Sequence, residues 1–324
     1  MPWTYPPQFN FITALLSLAP RHISYWIFIS ITTTIYFVVM WMIAHRHIVT
    51  PLTLILPTII ILVLSGQNGF LTAGLMGVYI VMHSRQQANA GLPLGFMVIK
   101  PHLAVGLAWY SLLNLQWRNI FLAASVVILT SLLATVVFGP QVWISFYSAI
   151  GESAERMDQG EYPLFRMVSI YAFVFSVSGG NTTLSLVLHL VFAGLSMAVC
   201  TYGFFKKWKQ KHVLALACFA TLTISPYCYD YDVTIFSLGL ALIAEDLLKL
   251  TNRLEKVALF ATCWLMSGWG LACILAYAHG ERIKTTEQPI SLGGLGLILA
   301  CLLLWRILAR IASTERQKSL TTQA

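Results

Sequence analysis

The run GLPLGFMVIKPHLAVGLAWYSLL, residues 91–113, is a long apolar stretch interrupted near its middle by Lys100 and Pro101. An ionisable group at membrane depth is expensive, points into a bundle or wet cavity, and marks a functional site by default. The proline disfavours a helical residue before it and removes a backbone donor, so the segment should break at Lys100-Pro101. Broken helices at membrane depth are tolerated where the freed backbone lines a cavity.

The rest of the chain sets this run inside a bilayer. Of 324 residues, 58% are hydrophobic and only 10% charged, and the mean hydropathy is +0.75, which leaves too little polar surface for a water-soluble fold. The expected class is an all-α polytopic membrane protein. About nine transmembrane helices fit runs of spanning length, at residues 24–43, 48–64, 68–82, 119–139, 182–205, 212–226, 231–248, 257–278 and 290–310, with the broken segment at 91–114. Residues 1–312 read as one integral membrane domain, and 313–324 as a polar cytoplasmic tail without fixed structure.

The basic residues sort to one side: Arg46, Arg85, Arg118, the lysines of 206–211, Lys249, Arg253, Lys256, Arg310, Arg316 and Lys318. Positive loops face the cytoplasm. The other side then carries Glu152, Glu155, Asp158, Glu161, Asp230, Asp232 and the loop around Glu281. With Arg85 before it and Trp117-Arg118 after it, the Lys100 segment begins and ends in the cytoplasm, so it is expected to be a re-entrant pair. The N-terminus as written lies outside and the C-terminus inside. The net charge of +8 is a topology signal, and no basic face with interleaved aromatics calls for nucleic acid. The six cysteines, none in a C-x-x-C pair, read as small packing residues.

Six short motifs share an order along the chain: Tyr5-Pro6-Pro7, Gly66-Gln67-Asn68, Lys100-Pro101, Trp117-Arg118, Ser225-Pro226 and Tyr231-Asp232. In these the chain resembles glycosyltransferase family 87 over most of its length. The resemblance implies a C-type glycosyltransferase fold in the bacterial inner (plasma) membrane, acting on its outer face. It implies transfer of a hexose, typically mannose, from a polyprenyl phosphate carrier to a glycan or glycolipid acceptor of the cell envelope, with membrane lipids as surroundings and no cofactor or metal. Family members usually begin with one more span and an outer loop whose Asp is thought to be the catalytic base. This chain starts just after where that loop would end, so the expectation is either an upstream span or loss of the catalytic acid.

Such a reaction places growing negative charge on a leaving phosphate and needs a carboxylate to deprotonate the acceptor hydroxyl. Lys100 is the first candidate for the phosphate, with His102 beside it; a snorkelling lysine and a simply hydrogen-bonded histidine are the bland alternatives. Arg166 is a third phosphate candidate or else an interfacial anchor. Gln67 and Asn68 present amides for sugar hydroxyls, or form a helix-entry turn. Asp230 and Asp232 are the candidate catalytic carboxylates; as helix-start acids they need no function. With Tyr229 and its neighbours Tyr227 and Tyr231 they suggest a sugar-binding rim. Residues 140–162 suggest an amphipathic helix at the acceptor cleft or an interfacial cover. The rival classes are a lipid or solute transporter or flippase, for which a broken helix and a buried cation are also natural, and an inactive accessory paralogue.

Overall fold

In lipid every backbone polar group must be satisfied internally, and the chain meets this with helices throughout. The computed structural model describes residues 3–159, 161–277 and 288–323. Among these there is no β-strand, only an isolated antiparallel bridge between Met167 and Tyr229. The loop around Glu281 and the side chains of Asp158 and Lys318 lie outside the described residues.

The helices are, in chain order, α1 (Phe9–Leu16), α2 (Arg21–Ala44), α3 (Val49–Leu54), α4 (Leu56–Ser65), α5 (Gly69–Ser84), α6 (Gly91–Phe96), α7 (Val105–Leu113) and α8 (Trp117–Phe138). There follow α9 (Gln141–Asp158), α10 (Ile170–Val177), α11 (Thr182–Phe205), α12 (Gln210–Ile224), α13 (Thr234–Leu250), α14 (Arg253–Tyr277) and α15 (Leu292–Gln323). Five helical stretches are long and apolar enough to cross a membrane: Arg21–His47, Trp117–Phe138, Thr182–Phe205, Arg253–Ala276 and Leu292–Gln317. The protein is a polytopic membrane protein. Shorter apolar helices, α4, α5 and α12, complete the bundle.

Burial sorts the helices into two layers. α5, α12 and α13 are buried on most of their surface, whereas α8 exposes Phe121, Leu129 and Val136. The short helices therefore form the core, and the long ones turn apolar faces outward as lipid requires. α12 packs against α13, α11 and α7; α2 lies on α5; α14 pairs with α15. All six cysteines are free and buried in this packing.

Two stretches differ from the sequence reading. Residues 48–64, expected as one span, divide into α3 and α4 at Ile55, with Pro57 in the first turn of α4, where a missing N–H costs nothing. Beyond Ala312, where a structureless tail was expected, α15 runs on to Gln323. Two ion pairs hold it: Arg310 to Glu255 at 2.8 Å and Lys209 to Glu315 at 2.5 Å.

The segment that decides the architecture is a hairpin. α6 leads into a 3-10 turn at Met97–Ile99; Lys100 leaves the helical region at φ −147°, ψ 72°; a second 3-10 turn, Pro101–Ala104, opens α7. Gly91, at the start, lies so close to α8 that an added Cβ would stand 2.2 Å from the Asn119 carbonyl oxygen. Tyr110, near the end, reaches His83 at the C-terminus of α5. Both legs thus end beside the last turn of α5. The tip lies at its other end, because Lys100 pairs with Asp232 and the neighbouring Tyr231 carbonyl touches Gly69, the first residue of α5. The rise along α5 from Gly69 to His83 is about 21 Å, and the hairpin travels that depth and returns.

Candidate functional site

The tip of the hairpin meets the connection between α12 and α13, the tract Ser225-Pro226-Tyr227-Cys228-Tyr229-Asp230-Tyr231-Asp232. Ser225 is extended where α12 ends, and Asp230–Val233 form a 3-10 turn leading into α13. The two aspartates are buried, each 1% exposed, while Tyr227, Tyr229 and Tyr231 line a cavity.

Each aspartate has its own cation. Lys100 donates to Asp232 Oδ1 at 2.8 Å, and its ammonium lies 4.6 Å from the centroid of the Tyr231 ring. Asp232 Oδ2 accepts the Tyr229 backbone N–H at 3.2 Å. Arg166 grips Asp230 with two bonds, Nε to Oδ2 at 3.0 Å and Nη2 to Oδ1 at 2.9 Å, the fork geometry that suits guanidinium to carboxylate. Burial disfavours the charge on Arg166, but the hydrogen bonds and charge of Asp230 outweigh it and hold the guanidinium above its ordinary value. Thr58 donates to the Asp230 carbonyl at 2.8 Å, tying the turn to α4. Gly270 of α14 leaves room for the carboxylate, since a Cβ there would stand 2.6 Å from Asp230 Oδ2.

Above these pairs is a cavity of about 320 Å³ whose wall includes Lys100, His102 and five tyrosines, Tyr5, Tyr162, Tyr227, Tyr229 and Tyr231. Tyr229 and Tyr231 stack, centroids 5.3 Å apart and planes 7° from parallel. Burial pushes the Tyr5 and Tyr229 phenols up, so both are neutral donors. α9 closes one side through Phe146, Ile150 and Ser153, and Ser153 bonds the Tyr162 hydroxyl at 2.6 Å. The wall therefore combines one buried cation, aromatic faces and neutral phenols, a chemistry suited to a phosphorylated sugar.

Gln67 and Asn68 line a neighbouring cavity of about 330 Å³, together with Arg21 and Tyr25. Tyr5 lines both cavities. Both polar atoms of the Asn68 amide are buried and make no hydrogen bond of good geometry among the described residues. A third cavity, of about 440 Å³, shares Tyr5 and Phe146 with the first and reaches Glu152.

The structure thus brings Lys100, His102 and Tyr229 together in one cavity, with Gln67 and Asn68 in the next. Asp230, Asp232 and Arg166 lie beside it as an ion-paired layer. Tyr162 and Thr58 were missed because no local pattern distinguishes them from other aromatic and hydroxyl residues. Tyr5 was visible as part of Tyr5-Pro6-Pro7, but its place between cavities was not. Among the described residues no group of three or more His, Cys, Asp or Glu side chains is arranged to hold a metal ion.

The sequence model of glycosyltransferase family 87 matches residues 3–226, which include every element of the hairpin. No curated protein and no solved structure matches the chain.

Proposed function

The chain belongs to glycosyltransferase family 87, and from that premise we propose that it moves a hexose, mannose in the first instance, from a polyprenyl phosphate carrier to a glycan or glycolipid hydroxyl at the outer face of a bacterial inner membrane. The observation that supports this most is Lys100, a buried ammonium at the tip of a re-entrant hairpin that lines the tyrosine-walled cavity. The donor is a phosphodiester with one negative charge; when the anomeric C–O bond breaks, the departing polyprenyl phosphate carries two. Lys100 stabilises that added charge in a site largely removed from water, where a cation counts most. His102 and the phenols donate to the remaining phosphate and sugar oxygens.

The acceptor hydroxyl forms the new C–O bond and must lose its proton. Of the two carboxylates, Asp232 is the one joined to the cavity through Lys100, and we assign it this proton. As charge builds on the leaving phosphate, Lys100 is drawn from Asp232 toward it, and a buried carboxylate losing its counter-ion becomes a stronger base. Asp230 is held at both oxygens by Arg166 and serves to fix the turn. Gln67, Asn68 and Tyr229 take sugar hydroxyls and the apolar sugar face.

A transporter needs polar groups on a path through both halves of the membrane. Between the ion pairs and the far ends of α5 and α12 the packing includes Phe70, Met76, Leu103, Leu107 and Phe219, all fully buried, an apolar layer that favours the transferase. The test is transfer from a radiolabelled polyprenyl phosphate hexose in membranes holding equal amounts of each variant. Lys100→Ala should lose about 100-fold or more, Asp232→Asn a comparable factor, and Asp230→Asn no more than its loss of folded protein. Wild-type turnover by Lys100→Ala would remove the reading.

A further inference from the structure

A fourth cavity, of about 550 Å³, lies at the far end of α5, α7 and α12 from the Lys100 site. Its inner wall is His83, only 6% exposed, which stacks on Tyr79 with planes 7° from parallel. Three groups crowd His83 Nε2: the Gln210 amide nitrogen at 2.8 Å, the Tyr110 hydroxyl at 3.3 Å and the Gln116 amide nitrogen at 3.4 Å. Gln116 is fixed in this sense because its oxygen accepts from Asn119 Nδ2 at 3.0 Å. An amide nitrogen only donates, so Nε2 is the acceptor here, and a ring nitrogen has one lone pair. Two amides and a hydroxyl therefore meet at one ring lone pair, with the Tyr110 oxygen as a second acceptor for Gln210, and the four amide N–H groups outnumber these two acceptors.

The rim adds a cation. Of the lysines in 206–211, Lys209 pairs with Glu315, Lys211 with Asp246, and Lys206 lies over the Tyr202 ring. Lys207 lines the cavity and makes no ion pair among the described residues, and no carboxylate lines the cavity with it. The backbone is shaped for this arrangement. α5, α7 and α11 all end here, each closed by a non-glycine residue in the left-handed region: Gln86 at φ 54°, Leu115 at φ 51° and Lys207 at φ 54°. L side chains adopt that conformation rarely, and it gathers at functional sites. The terminal carbonyls are taken up by the closing bonds themselves: Gln87 N–H to Met82, Gln116 N–H to Ser111 and Trp208 N–H to Gly203. Gln116, Gln210, Tyr110 and Lys207 thus offer the cavity several donors and one positive charge.

The cavity opens beside the end of α11, a helix long and apolar enough to cross a membrane, where Phe205 is 71% exposed. An acyl chain lying along that helix would bring its headgroup to Lys207. We propose that this cavity is a second binding site, separate from the Lys100 site, for the phosphate group of an anionic membrane lipid, held by Lys207, Gln210, Tyr110 and the His83 cluster.

The experiment uses the full-length protein in detergent and follows its thermal unfolding midpoint during titration with dioctanoyl phosphatidylglycerol, with dioctanoylglycerol, which lacks the phosphate, and with inorganic phosphate. The first should raise the midpoint saturably and the other two should not at equal concentration. Lys207→Gln and Gln210→Ala should each weaken the apparent affinity about tenfold or more, the loss of one charge-assisted hydrogen bond. Lys207→Arg should restore most of it and Lys206→Gln should leave it unchanged. Lys207 and Gln210 are exposed, so these variants should fold. A saturable response to inorganic phosphate alone would overturn the lipid as ligand. Equal losses in Lys206→Gln and Lys207→Gln would overturn the site in favour of general attraction to a basic surface, and undiminished binding by Lys207→Gln would overturn it outright.

Discussion

Replacing Gly69 with alanine should disable transfer without touching any group that meets the substrate. A Cβ on Gly69 would stand 2.1 Å from the Tyr231 carbonyl oxygen, so that carbonyl must retreat by at least about 1 Å merely to relieve the clash. The retreat is resisted, because the single Thr234 hydroxyl proton is shared between the Gly69 carbonyl at 3.0 Å and the Tyr231 carbonyl at 3.2 Å, holding both partners near one side chain. Tyr231 carries the ring beneath the Lys100 ammonium, and Asp232 follows it, so the displacement passes directly to the ion pair. A misplacement of about 1 Å costs on the order of 100-fold in rate, and overpacking a tight contact costs about 1–3 kcal/mol of stability. The assay is transfer from the labelled polyprenyl phosphate hexose, normalised to folded protein, beside thermal unfolding. Gly74→Ala is the control on the same helix, since its Cβ meets the Ile35 Cγ2 methyl at 3.0 Å, a milder contact and one with a side chain rather than with the backbone of the site. Turnover by Gly69→Ala within twofold of wild type, with an unchanged unfolding midpoint, would refute the claim that this contact sets the site.

Lys100→Met and Asp232→Asn should each destabilise by about 3–5 kcal/mol, because each strands a buried charge; the double variant should recover much of the stability in chemical unfolding while transfer stays lost. Recovery of both would make the pair purely structural. Arg166→Lys keeps the charge but loses the fork on Asp230, and should cost about 1–3 kcal/mol with transfer per folded molecule retained; a selective loss of transfer would instead put Arg166 on the phosphate. Tyr229→Ala should raise the donor KM up to about tenfold and Tyr229→Phe much less, and equal effects would show that the hydroxyl matters and the ring face does not.

What could be read from the sequence was what acts locally. The break at Lys100 follows from a charge and a proline side by side, and α9 from the apolar and acidic pattern of 141–158. The division of 48–64 at Ile55 was missed because hydropathy runs unbroken through it. The order of α15 beyond Ala312 was missed because its anchors, Lys209 and Glu255, lie far away in the chain. The site divides in the same way. Lys100 and the tyrosine tract announce themselves, but which cation meets which aspartate depends on partners 132 and 64 residues apart, and no periodicity carries that information.

The same separation governs how the protein is made. Lys100 leaves the ribosome 132 residues before Asp232, an interval on the order of ten seconds at ordinary rates of synthesis. Through that interval the hairpin has its charged tip but no counter-ion, and a lone lysine does not settle at membrane depth. The hairpin must therefore wait near the surface it entered from while α8 through α12 are laid down, and it reaches full depth only when the turn before α13 arrives. Insertion of an early segment is thus timed by a late one, and a chain stopped before Asp232 should carry this hairpin undocked.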